Sequence, residues 1–174
     1  MPVTSIVNDD CVCRRTVVGV SDIAFSADPN TILSTYALGS CVGVVAYDPV
    51  ISLGGLLHFM LPDSGLTPDK AQQQPAMFAD SGVNALLSQF KKSKSHIKNI
   101  KFFLIGGASL LTENDMFKIG EKNLKQLKEI FEKEKLTLIG EETGGYNNRT
   151  VHFRLQTQTL EIKSSAETKE VSLL

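Results

Sequence analysis

The stretch 35–62, TYALGSCVGVVAYDPVISLGGLLHFMLP, organises the reading of this chain. Two apolar runs, 42–47 and 53–59, flank Asp48-Pro49. Asp favours turn entry and Pro presets φ at the next position, so the segment is expected to fold as a β-hairpin. Both runs are apolar on both faces of the pleat. Strands of that kind are covered on two sides, which points to a layered α/β or α+β domain. Cys41 precedes the first strand in a small-residue setting, Gly39-Ser40-Cys41-Val42-Gly43, and His58 lies in the second. With a loop at 48–51 and Tyr47 paired to Ser52, Cys41 stands opposite His58. Directly opposed residues share a face, with Cβ atoms roughly 4.5–5.5 Å apart. A loop longer by one residue would put the two side chains on opposite faces.

Working outward, 16–25 is rich in Val and Ile and reads as one strand, followed by a turn at Asp28-Pro29-Asn30. Residues 62–75 form a polar loop dense in Pro, Gly and Asp that can wall a cleft beside His58. A helix is expected over 75–92, with Pro75 in its first turn and Met77, Phe78, Val83, Leu86, Leu87 and Phe90 as its apolar stripe. The run 100–105 reads as a buried strand ending at Gly106-Gly107, a pair that permits close backbone approach or unusual φ/ψ. A second helix is expected over 115–135, opened by a capping box at Thr112-Glu113-Asn114-Asp115 with Asp in place of Glu. Met116, Ile119, Asn123, Leu124, Leu127, Ile130 and Phe131 make its inward stripe, and Asn123 needs a hydrogen-bond partner if buried. Short strands follow at 136–141, 151–155 and 160–163. His152 shares a polar face with Thr150 and Arg154 and is expected in solvent, as is His96. Residues 1–15 are expected as a flexible extension, 16–163 as a single domain and 164–174 as a mobile tail.

The 174 residues suit one domain with a full core, and the formal net charge is −1. That balance argues for neither nucleic acid nor an anionic membrane as partner. With no Trp, the usual base-stacking platform is missing. No run approaches the ~18 apolar residues that span a bilayer, so membrane insertion is not expected. Asp9 and Asp10, without an apolar h-region, argue against a signal peptide. The odd count of three cysteines fits a reducing cytoplasm. Cys11 and Cys13 lack two further ligands at metal-binding spacing. Gly106-Gly107 lacks the P-loop Lys and Ser/Thr. Neither metal nor cofactor is expected.

A cysteine attacks as its thiolate, and an ordinary thiol, with pKa ~8.5, is only slightly ionised at neutral pH. His58 can serve as its base, since an imidazole titrates near neutrality. A third group must fix which ring nitrogen carries the proton, and Thr35, Ser34 and Ser40 are candidates. Backbone N–H groups in the Gly39-Ser40-Cys41 bend can stabilise an oxyanion. Of the three histidines only His58 sits in an apolar strand pattern.

The order T-x-x-L-G-S-C-V, then Y-D-P, then G-G-x-x-H-x-M-L-P-D-S resembles the chemoreceptor glutamine deamidase CheD family. Ala79-Asp80, Gly106-Gly107-Ala108-Ser109, Ile119-Gly120 with Asn123, and Glu142-Thr143-Gly144-Gly145 with Arg149 extend the resemblance over 19–163. Phe78 stands where the family usually has Tyr, and Leu110-Leu111 where it has Met-Phe. The resemblance implies an α+β fold, a layered domain with packed mixed β-sheets and helices on the outer faces. It implies a catalytic Cys41, His58 and Thr35, beside the Gly39 and Ser40 read from the bend as positioning substrate and oxyanion. The implied reaction is hydrolysis of glutamine side-chain amides on the cytoplasmic domain of chemoreceptors, with ammonia release through a thioester. A CheC-type chemotaxis phosphatase is the implied partner. The alternatives are a non-catalytic regulatory partner of such a phosphatase, and a cysteine protease or transglutaminase, which share the thioester chemistry.

Overall fold

The computed structural model describes residues 5–8, 11–65, 67–109 and 118–174. Among these, the order is β1 (Ser5–Asn8), β2 (Cys11–Val17), β3 (Asp22–Ser26), β4 (Thr31–Leu38), β5 (Val42–Asp48), β6 (Leu53–Phe59), α1 (Pro68–Gln73) and α2 (Ala79–Lys92). Then come β7 (Lys101–Gly106), α3 (Ile119–Glu134), β8 (Thr137–Thr143), β9 (Arg149–Arg154), β10 (Thr159–Lys163) and β11 (Thr168–Ser172). A six-stranded sheet runs β1-β2-β4-β9-β10-β11 and a five-stranded sheet β3-β6-β5-β7-β8. Each is mixed, with one parallel pair, β2–β4 in the first and β7–β8 in the second.

β5 and β6 form the expected hairpin, and every position of both is buried. One face (Val42, Val44, Leu57, Phe59) packs under α2 and α3. The other (Val45, Tyr47, Leu56) packs on Leu33, Val151 and Phe153 of the six-stranded sheet. The result is a layered α+β domain of sheet, sheet and helices, as expected. The stripes are Val83, Leu86 and Phe90 on α2 and Asn123, Leu127 and Phe131 on α3.

The hairpin register differs from expectation. Asp48 pairs with Leu53 and Tyr47 with Gly54, so His58 stands opposite Gly43 and not Cys41. The four-residue loop is 49–52. Asp48 stays in the strand because its buried carboxylate is satisfied there: Oδ1 accepts from Val50 N at 2.8 Å and Oδ2 from the Ser95 hydroxyl. Ser52 closes the turn with φ of 52°. The change shifts the partner of each residue by two positions, which preserves the face.

Other boundaries move for identifiable reasons. The run read as one strand at 16–25 is two, β2 and β3, which lie in different sheets and meet through a crossover where Ser21 has φ of 59°. The polar loop at 62–75 contains α1, and the helix expected from Pro75 starts at Ala79 after a 3-10 turn at Pro75–Met77, because Phe78 is extended. The later helix begins at Ile119. Its expected capping box at Thr112-Glu113-Asn114-Asp115, with Met116, lies outside the described residues, as do Leu110 and Leu111. Residues 5–8 and 11–15, expected in a flexible extension, lie in paired strands. The expected tail instead adds β11 to the sheet edge and buries Leu173 completely in the core between the sheets. No helix among the described residues is long and apolar enough to cross a membrane.

Leu173→Ala is expected to destabilise the protein by about 2–4 kcal/mol, as large-to-small core substitutions do. Urea denaturation checks this, and a loss under 0.5 kcal/mol, the range of an ordinary surface change, would mean that the C-terminal strand is not part of the core.

Candidate active site

Two of the crossovers from one sheet to the other frame the site: residues 18–21 between β2 and β3, and Gly39-Ser40-Cys41 between β4 and β5. Thr35 and His58 face each other beside them, one from each sheet. The Thr35 hydroxyl lies 2.8 Å from the Val18 carbonyl and 2.8 Å from His58 Nδ1. A hydroxyl has one hydrogen. Val18 O can only accept it, so Oγ1 must accept from Nδ1–H. His58 therefore carries its proton on Nδ1, and Nε2 holds a lone pair. Nε2 is buried and has no hydrogen-bond partner among the described residues.

Cys41 lies on the His58 face of the hairpin. Val42 joins the helix-side core, while Cys41 packs partly buried against the core between the sheets. Gly43, directly opposite His58, contributes no side chain between them. Cys41 and His58 are thus diagonal neighbours and not directly opposed.

The bend is held by its carbonyls. Gly39 O accepts from Ala108 N at 2.8 Å, Cys41 O from Gly107 N at 2.8 Å, and Ser40 O from Asn123 Nδ2 at 3.0 Å. Asn123 Nδ2 also donates to Met60 O at 3.0 Å, which ties the chain after His58 to the residue before Cys41. This is the partner that a buried Asn123 was expected to need. The glycine pair is required here. Gly106 has φ of +103°, and a Cβ on it would fall 2.4 Å from Cys41 O. A layer further out, Gly144 N donates to Gly106 O and Ser109 N to Gly145 O. Buried Arg149 braces that turn by donating to Gly144 O at 2.8 Å. Asp80 pins the loop after His58, accepting from the Ser64 hydroxyl at 2.6 Å.

Burial pushes the Cys41 thiol above its ordinary value, with its own backbone amide lowering it in part. Burial pulls His58 down to about 4, against the opposing charge of Asp22 and the Val18 carbonyl. Both groups are therefore neutral at pH 7. The Asp22 contribution was missed from the sequence. Its only signal there was a polar residue alternating with Ile23 and Phe25.

Of the residues singled out in the sequence, Thr35 and His58 are hydrogen-bonded, and Cys41 follows Gly39 and Ser40 on the bend that leads to Gly43, opposite His58. Ser34 points to the opposite face and bonds His152 Nδ1 at 2.9 Å. His152 was expected in solvent and is buried, 6% exposed, beneath an edge contact with Tyr36. His96 is exposed as expected. Cys13 is a partly buried free thiol, and the Cys11 side chain lies outside the described residues. No cluster of three potential metal ligands occurs among the described residues. A groove of about 480 Å³ between α3 and β8 does not reach Cys41 or His58.

The profile of a family described as CheD chemotactic sensory transduction matches residues 60–164. The chain is 42% identical to a Syntrophus aciditrophicus protein named Probable chemoreceptor glutamine deamidase CheD 1, over 86% of this chain and 93% of that one. It is 37% identical to the Chemoreceptor glutamine deamidase CheD of Halalkalibacterium halodurans, over 84% of this chain and 91% of that one. A solved Neisseria meningitidis protein of the DUF152 family superposes with a TM-score of 0.44 at 8% identity, covering 75% of this chain and 64% of that one.

Two outcomes are expected. Iodoacetamide labelling of Cys41, followed on its own peptide, should rise with pH around a midpoint above the ~8.5 of an ordinary thiol; a midpoint at or below 7 would show a preformed ion pair. Gly106→Ala should cost about 1–3 kcal/mol in backbone strain and change that labelling rate, because the Cys41 carbonyl must move; unchanged labelling would refute the coupling.

Proposed function

Since the chain belongs to the CheD chemotactic sensory transduction family, we propose that it is a hydrolase that deamidates glutamine side chains of chemoreceptors by a Cys41 thioester. The observation that carries this reading is the orientation of His58: Nδ1–H is committed to Thr35, and a buried Nε2 is left free on the face that Cys41 shares. A general base needs that arrangement.

The chemistry starts from a neutral thiol and a neutral imidazole. As Sγ attacks the carboxamide carbon, the thiol proton moves to His58 Nε2, so charge separates during attack and not before it. The carbonyl oxygen becomes an oxyanion. The carbonyls of Gly39, Ser40 and Cys41 are engaged elsewhere, and the amide N–H groups of Gly39 and Ser40 are assigned to that oxyanion. Protonated His58 then gives its proton to the departing nitrogen, and ammonia leaves a glutamyl thioester. Water, deprotonated by Nε2, attacks this ester. Glutamate forms and the thiol is restored. Thr35 keeps Nδ1 protonated and the ring in place throughout. The substrate is the cytoplasmic part of a chemoreceptor, the place of action is the cytoplasm, and a CheC-type phosphatase is the regulatory partner.

Cys41→Ala and His58→Ala should abolish ammonia release from a receptor fragment, His58→Ala by at least the ~10²–10⁴-fold that general acid–base catalysis supplies. Thr35→Ala should lose less, and Thr35→Ser, which keeps the hydroxyl, less still. Mass spectrometry of the treated fragment should show a gain of about one mass unit per deamidated site, with no chain cleavage or cross-link. A Cys41→Ala variant as active as wild type would leave only the docking role with the phosphatase.

A further inference from the structure

Protonating His58 during the reaction places a positive charge where burial opposes it. Thr35 orients the ring but carries no charge. A second group acts on His58 from the other neighbouring strand. In the β3–β6 pair, Asp22 is directly opposite His58. Directly opposed residues share a face. Ile23 and Phe25 pack against the helix-side core and Ala24 against the core between the sheets, so Asp22 is on the His58 side of its strand. The register is pinned beside it, where Ser21 N donates to His58 O at 2.8 Å.

The Asp22 carboxylate is itself held. Its Oδ1 accepts from Ile23 N at 2.8 Å, which leaves Oδ2 outside that bond. The other elements that meet the ring bring no charge: Thr35 on β4, Gly43 on β5 and the carbonyl of Val18 on the crossover. Cys41 is neutral at rest, since burial raises its thiol. Among the described residues, Asp22 is the charged side chain that acts on His58.

We infer that Asp22 is a positioning residue for the reaction: from β3 it stabilises the imidazolium of His58 formed when the ring takes the Cys41 proton, as Thr35 fixes the ring from β4. The inference rests on the deamidase reading for its catalytic consequence and on geometry alone for the coupling of the two side chains. A carboxylate beside an imidazole favours the protonated ring, typically by a factor of ~10 or more. The same stabilisation applies to the transition state of attack and to that of thioester hydrolysis, because His58 gains a proton in both. Asp22 itself exchanges no proton in either step.

Asp22→Asn separates this role from a merely structural one, because the amide oxygen can still accept from Ile23 N while the charge is gone. With a receptor fragment as substrate, Asp22→Asn should lower kcat roughly 10–100-fold with KM little changed, and Asp22→Glu should recover part of the loss. The acid limb of the kcat/KM profile should move to lower pH. In the free protein, the NMR titration of the His58 ring should move to lower pH in Asp22→Asn, whatever the enzyme activity. Wild-type kcat in Asp22→Asn, or an unmoved His58 titration, would overturn the inference. Absence of deamidation by the wild type would instead overturn the deamidase reading, and the titration alone would then decide whether Asp22 acts on His58.

Discussion

A single hydroxyl hydrogen sets the chemistry of this site. Thr35 gives it to the Val18 carbonyl, and that gift obliges the same oxygen to accept from His58 Nδ1–H. The bond joins the two sheets at their polar end, while apolar side chains such as Leu33, Leu56 and Phe153 join them elsewhere. A buried polar pair of this kind must be satisfied or it destabilises the fold. Here each nitrogen has a defined fate, one paired and one left free. The unpaired Nε2 is a cost that a purely structural histidine would have no reason to bear.

The Cys41 side of the site is built from backbone. Three consecutive carbonyls, of Gly39, Ser40 and Cys41, are each held by a different donor, and two of those donors are the amides of Gly107 and Ala108. Close approach is what fixes the bend: a side chain at Gly106 would collide with the Cys41 carbonyl. Asn123 then fastens the bend to the end of the His58 strand. The place of Cys41 beside the His58 strand is thus tied to one helix side chain and one loop, and the Gly144-Gly145 turn, held by Arg149, braces that loop.

Burial has opposite signs on Cys41 and His58. It raises the thiol and lowers the imidazole, so the pair is uncharged at rest. Thiol proteases that keep a thiolate–imidazolium pair solve the problem differently, with a depressed cysteine. A neutral pair avoids holding separated charge where burial opposes it, and needs help at the moment charge appears. That need gives a carboxylate on the neighbouring strand its importance.

Much of this was written in local pattern. The hairpin, its burial on both faces and the special backbone at Gly106-Gly107 all follow from period and residue type over short windows, and the same windows single out Cys41 and His58 as residues to explain. Asn123 was recognisable as a polar residue on an apolar stripe. The strand partners were not. Ser34 and Thr35 are adjacent hydroxyls, and a strand sends neighbours to opposite faces. Which of them meets His58 depended on which face the other sheet would cover. In the event Thr35 turned inward and Ser34 met His152 on the other face, where Tyr36 lies against the imidazole. The register turned on Asp48, whose burial rests on Ser95 far along the chain. Asp22 became a neighbour of His58 only because a run that reads as one strand crosses between sheets and pairs twice. Periodicity is a property of the chain with itself, and it settled what each segment is. Pairing is a property of distant segments with one another, and it alone decided what each side chain faces.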